Sequence, residues 1–150
     1  VLAAPGMTVE EPVGLLKFEQ AFIEANLIAR QRELVVGENL SMVVQFANLG
    51  KNMAFLTKLE EIVPEGFELV EKPERYVADN GMLNLKGKKL AALETEEMKL
   101  TLKPRKKGKF TFTPKILYLD EAGERKSCEL EQITVTVKEM GIRGWLKGPG

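Results

Sequence analysis

Between residues 40 and 46 the chain alternates strictly. Leu40, Met42, Val44 and Phe46 share one parity and Ser41 and Gln45 the other, which predicts a strand with one buried and one wet face. Val35-Val36-Gly37-Glu38 opens this strand with a glycine turn. Asn48-Leu49-Gly50-Lys51-Asn52 closes it, because asparagine and glycine tolerate positive φ. A further strand is predicted over Met53 to Val63, ending at Pro64-Glu65-Gly66, since proline cannot donate to a ladder. Phe67 and Leu69 begin a short strand, and Pro73 to Gly81 reads as loop. Lys86-Gly87, flanked by Met82–Leu85 and Lys88–Leu90, predicts a small hairpin. From Glu96 to Lys103 the alternation returns, with Met98, Leu100 and Leu102 inward and Lys99, Thr101 and Lys103 outward. Pro104 to Gly108 is a turn. Lys109 to Leu119 is a strand with Phe110 and Phe112 on one face, bent at Pro114. After a turn at Glu121-Ala122-Gly123, the last strand, Gln132 to Lys138, sets Ile133, Val135 and Val137 against Thr134 and Thr136.

The stretch Leu15 to Arg30 carries both periods. Leu15, Phe18, Phe22 and Ala29 fall near helical spacing, whereas Ile23, Ala25 and Leu27 fit a strand. A strand is the reading adopted, because the neighbouring elements need a first strand to pair with. Seven to nine short strands with turns between them, and no amphipathic crossover helix, predict an all-β fold: a two-sheet antiparallel sandwich. Residues 1–15 read as linker, 16–139 as the sandwich, and 140–150 as a tail or the start of a following segment. Both ends fall on turn residues, so the chain is read as one domain of a longer protein.

Composition narrows the function. The 22 basic and 22 acidic residues balance to zero, so the net-basic surface that drives nucleic-acid binding is absent. The apolar runs are too short to span a bilayer as a helix. Acidic residues are nearly all glutamate, with Asp79 and Asp120 the two aspartates, and serine occurs only at Ser41 and Ser127. Lys/Glu enrichment of this kind points to a thermophilic source. There is no histidine, which removes histidine-based triads and metal sites. Cys128 is alone, so neither an internal disulfide nor a thiol zinc cluster can form, and its setting predicts a buried, inert thiol. No phosphate-binding loop or dinucleotide fingerprint is present.

The ordered series Val35-Val36-Gly37-Glu38, strand, Asn48-Leu49-Gly50, Ala54, strand, Pro64-Glu65-Gly66-Phe67, and later Leu102-Lys103-Pro104 with Lys107-Gly108-Lys109-Phe110-Thr111-Phe112, resembles an immunoglobulin-like repeat of archaeal and bacterial multidomain and surface proteins. The resemblance covers about Phe22 to Lys138. It implies an immunoglobulin-like sandwich, an archaeal source and a spacer or adhesion module, with no catalytic residues to carry over. The lysine- and glutamate-rich, serine-poor composition departs from the surface-protein style and leans toward the cytoplasm, with the extracellular surface as the alternative.

These readings predict a protein that is not an enzyme, takes no cofactor and no metal, and works through protein contact or domain spacing. Its partners would be another protein, other domains of the same chain, or a second copy in a homo-oligomer. A surface repeat binding glycan or a neighbouring surface is the alternative. A minor one is a hydrolase using Glu60-Glu61 or Glu94, Glu96 and Glu97 as paired carboxylates. Two groups are candidate contact sites. Trp145, flanked by Ile142 and Leu146 among glycines, suits an anchor in a partner pocket, or a plug of this domain's own core or the next. Lys103, Arg105, Lys106, Lys107 and Lys109 form the densest basic cluster. It could hold an anionic or acidic partner, or serve as edge protection against strand-to-strand aggregation.

Overall fold

The computed structural model describes residues 19–139 of the chain. Twelve strands follow one another: β1 (Ile23–Ala29), β2 (Glu33–Val35), β3 (Leu40–Asn48), β4 (Ala54–Glu60), β5 (Phe67–Glu71), β6 (Val77–Asp79), β7 (Met82–Leu90), β8 (Thr95–Pro104), β9 (Gly108–Phe112), β10 (Lys115–Leu119), β11 (Arg125–Glu129) and β12 (Ile133–Lys138). They form a four-stranded sheet in the order β1-β3-β8-β5, a five-stranded sheet β11-β10-β4-β7-β6 and a three-stranded sheet β2-β12-β9. The fold is all-β, a sandwich in which β3, β8 and β12 each turn one parity inward.

The alternation seen in the sequence sets those parities. Leu40, Met42, Val44 and Phe46 are all buried, as are Met98, Leu100 and Leu102 beside them on β8. Leu56, Leu59, Leu83 and Leu85 of the five-stranded sheet join the same core, together with Phe112, Val135 and Val137 of the third sheet. Each such side chain contributes roughly 1.5–3 kcal/mol when fully buried. The Phe67 ring meets Phe110 and Phe112 edge to face, with centroids 5.0 and 5.4 Å away, and so locks β5 against β9.

The strand expected within residues 15–30 is present as β1, residues 23–29, paired along its whole length with β3. Other expectations are corrected in detail. Lys86-Gly87 is not a hairpin: β7 runs straight through it. On β4 the pairing moves two residues, from Leu56 to Lys58, while on β7 it moves four, from Lys88 to Asn84. The two extra residues bulge out with positive φ, and Asn84 Oδ1 accepts the Lys86 N–H at 2.8 Å. The segment around Pro114 is more than a bend. β9 lies in the three-stranded sheet and β10 in the five-stranded one, so the chain changes sheets there. Within the expected loop 73–81 lies the short edge strand β6, and the described residues hold twelve strands rather than seven to nine. One pairing, β2 with β12, is parallel.

Asn48 fastens β1 to this frame. It is wholly buried, and its side chain satisfies four backbone groups. Oδ1 accepts the N–H of Phe22 (3.1 Å) and of Gly50 (3.0 Å), and Nδ2 donates to the carbonyls of Asn52 (2.7 Å) and Leu90 (3.0 Å). Gly50 is required for a steric reason, because a Cβ there would stand 1.8 Å from the Gln20 carbonyl oxygen. The Asn-x-Gly turn thus docks the chain entering β1 as well as reversing β3.

Candidate functional site

A broad hollow lies on the outer face of the four-stranded sheet, an open trough of about 730 Å³ across β1, β3 and β8. Strand register builds it in two rungs, Glu24–Ala47–Thr95 and Asn26–Gln45–Glu97. The small side chains of Ala47 and Thr95 leave the depression, and Glu24 and Glu97 give it acidic walls. Gln45 Nε2 donates to Glu97 Oε2 at 2.8 Å and fixes that wall. The next rung is Ile28–Val43–Lys99, in which Ile28 is 44% exposed. Neither Glu24 nor Glu97 has an ion-pair partner among the described residues.

The outer face of the five-stranded sheet is built differently. Its rung Arg125–Leu119–Phe55–Lys89 neighbours the rung Ser127–Leu117–Lys58–Asn84. Half-buried Phe55, Leu117 and Leu119 form an apolar centre, with Arg125, Lys58 and Lys89 around it. The following rung is Glu129–Lys115–Glu60, where Lys115 Nζ is 4.0 Å from Glu60 Oε1.

The basic cluster read from the sequence sits on and beside the β8–β9 turn, interleaved with acids. Arg105 bonds Glu68, Lys106 Nζ is 3.7 Å from Glu65 Oε1, and Lys107 Nζ is 3.4 Å from Glu139 Oε2. Lys103 lies opposite Glu68 on β5, and Lys109 opposite Thr136 on β12. The five cations share one end of the domain, but not as an uncompensated cationic surface. Trp145, Ile142 and Leu146 lie outside the described residues.

The carboxylates weighed for hydrolysis are engaged elsewhere. Glu61 Oε2 accepts the Thr113 hydroxyl at 3.1 Å, and Glu60 pairs with Lys115. Glu94 Oε1 accepts the Ala91 N–H at 2.7 Å, capping its own turn. Glu96 points toward the other sheet and lies 3.5 Å from both Arg75 and Lys88. Among the described residues no three of Cys, Asp and Glu converge as metal ligands. Burial raises the Cys128 thiol above its ordinary pKa, against a hydrogen bond from the Ala25 backbone, which favours the inert protonated form. Burial likewise raises the Tyr118 hydroxyl, which takes the Ile23 N–H at 3.2 Å and ties β1 to β10.

The outward parity of Gln45 and Thr101 was readable from the alternation, but the trough itself was not. Its rungs exist only once β1, β3 and β8 lie side by side, and that order is a property of the sheet. The one available signal was the uncharged outer row Ser41, Val43, Gln45 and Ala47, unusual in a chain this charged.

No protein-family model and no curated protein sequence matches this chain. Solved structures do. The full-length major pilin SpaD of Corynebacterium diphtheriae superposes with a TM-score of 0.61 at 6% identity, over 77% of this chain and 35% of the pilin. A non-cellulosomal cohesin of the hyperthermophilic archaeon Archaeoglobus fulgidus superposes at 0.50 and 13% identity, over 82% of this chain and 97% of its own. The VesB protease of Vibrio cholerae matches at 0.50 and 11% identity over 85% of this chain, which spans 34% of the protease. This chain therefore spans about a third of the pilin and of the protease. The likeness is one of fold, an immunoglobulin-like β-sandwich.

Proposed function

We propose that this domain is a non-catalytic β-sandwich module of a longer protein, serving protein contact or the spacing of neighbouring domains. The observation that carries the reading is the trough of β1, β3 and β8, a broad, open depression on a regular sheet face rather than an enclosed cleft. Two things support it. Of the glutamates of the hydrolase alternative, Glu60 and Glu96 are ion-paired, Glu94 caps a turn, and Glu61 and Glu97 accept side-chain hydrogen bonds, while burial raises the half-buried Cys128 thiol and the Tyr118 phenol. A described helix long and apolar enough to cross a membrane is absent. The specific repeat family, the archaeal and thermophilic source and the cytoplasmic setting belong to this proposal, as do the linker at 1–15 and the tail at 140–150 with its Trp145 anchor. The cluster of Lys103, Arg105, Lys106, Lys107 and Lys109 is read here as edge protection, since Arg105, Lys106 and Lys107 are each matched by a local glutamate.

A surface adhesion repeat is the second reading, favoured by the fold shared with a major pilin. The primary test is a panel of glycoside, ester and peptide substrates. No turnover above buffer is expected; turnover abolished by Glu60→Gln, Glu96→Gln or Glu97→Gln would overturn the reading.

A further inference from the structure

The two outer faces differ in charge although the chain as a whole is neutral. On the four-stranded sheet Glu24 and Glu97 flank a trough whose floor is Ala47 and Thr95, continuing to Ile28 and Val43. On the five-stranded sheet Phe55, Leu117 and Leu119 form an apolar centre inside Lys58, Lys89 and Arg125. Those two glutamates and three cations have no ion-pair partner among the described residues. The remaining outward charges are mixed in sign, with Lys103 opposite Glu68 at the far end of β8. Lys99 lies one rung beyond the acidic trough, and in the rung Glu129–Lys115–Glu60 the lysine already faces two carboxylates.

We propose that these faces dock on each other between copies of this chain, the acidic trough of one seating on the cationic apolar face of the next. The inference rests on the contact-module reading and names the partner as a second copy. Because the two surfaces are different patches on opposite outer faces, the contact is heterologous and leaves a free face at each end, so it propagates as an open stack. Opposite potentials steer the encounter and set the register, while Ile28 and Val43 on one side and Phe55 and Leu119 on the other supply the apolar contact.

Geometry also fixes the strength. Four strands about 4.8 Å apart and roughly 20 Å long present about 400 Å² per face. The two faces together give about 800 Å², below the roughly 1,000 Å² that a stable specific interface clears, so the association is weak and transient. Exposed charges at this distance are screened by salt, so the contact weakens as ionic strength rises.

Sedimentation equilibrium and backbone amide NMR on the full 150-residue chain test this. At about 1 mM protein and about 20 mM salt the weight-average mass is expected to exceed the monomer's, and to fall back toward it at about 500 mM salt. Concentration-dependent shifts should appear on both faces together. Glu24→Lys/Glu97→Lys and Lys58→Glu/Lys89→Glu should each be monomeric with unchanged melting temperature, and an equimolar mixture of the two should regain association. A monomeric wild type at low salt overturns the proposal, as do shifts confined to the edges of β5 or β6, or a mixture that stays monomeric. None of those results touches the contact-module reading, which falls on turnover instead.

Discussion

In the β3–β4 turn Asn48 is 0% exposed and its side chain satisfies four backbone groups. In the β8–β9 turn the side chains of Arg105, Lys106 and Lys107 are 58%, 66% and 68% exposed, each beside a glutamate. Both turns are conspicuous in sequence. The difference between them lies in solvent. Water can replace any partner of Lys106, so its ion pair is worth little. No water reaches the groups around Asn48, so each lost bond leaves a buried donor or acceptor unmet.

The sharpest way to break this comparison is Asn48→Ala, which is expected to destabilise the domain by about 3–5 kcal/mol in urea unfolding. A loss under about 1 kcal/mol would mean that the turn holds without its side chain. Two residues earlier, Phe46→Ala should cost roughly 3–5 kcal/mol through the cavity it leaves in the core. The adjacent Gln45→Ala should stay within about 0.5 kcal/mol, because Gln45 lies on the outer parity. Equal effects of the two on the melting curve would reverse the assignment of inner and outer faces.

A smaller effect comes from pH and from β10 and β11 rather than from either turn. Burial raises both Tyr118 and Cys128, whose neutral forms the folded state therefore prefers. Their contribution is fully present below the unfolded-state pKa values, about 10 for tyrosine and about 8.5 for cysteine, and is lost as pH rises beyond each of them toward the raised folded values. The melting temperature should fall between about pH 8 and pH 11, and Cys128→Ala should remove the earlier part of the fall. A flat profile up to about pH 11 would show that neither group is desolvated in solution. The smallest effect closes the series: Lys106→Ala should change unfolding free energy by less than about 0.5 kcal/mol, and high salt should mask even that.

Parity was readable along β3, β8 and β12 because each has one buried face, so a residue's depth repeats every second position. Lys86-Gly87 misled because two residues of positive φ satisfy a hairpin turn and a bulge equally. Only the continuous pairing of β4 along β7 distinguishes them. Pro114 was recognised as an interruption, but whether the strand bends or changes sheet depends on where its next partner lies, and β10 finds β4. The trough was illegible for the same reason, since Glu24, Ala47 and Thr95 are far apart in sequence and meet only through register.

The sequence by itself determined the all-β class, the inward rows, the absence of histidine and paired cysteine chemistry, and the position of the major turns. Each is local, set by backbone geometry, side-chain type and solvent preference within a few residues. Tertiary structure alone decided the three-sheet partition, the parallel pairing of β2 with β12, the four-way satisfaction of Asn48, and the opposite charge of the two outer faces. Those depend on which strands lie side by side, and strand order is chosen by the packing of the whole core rather than by any one strand.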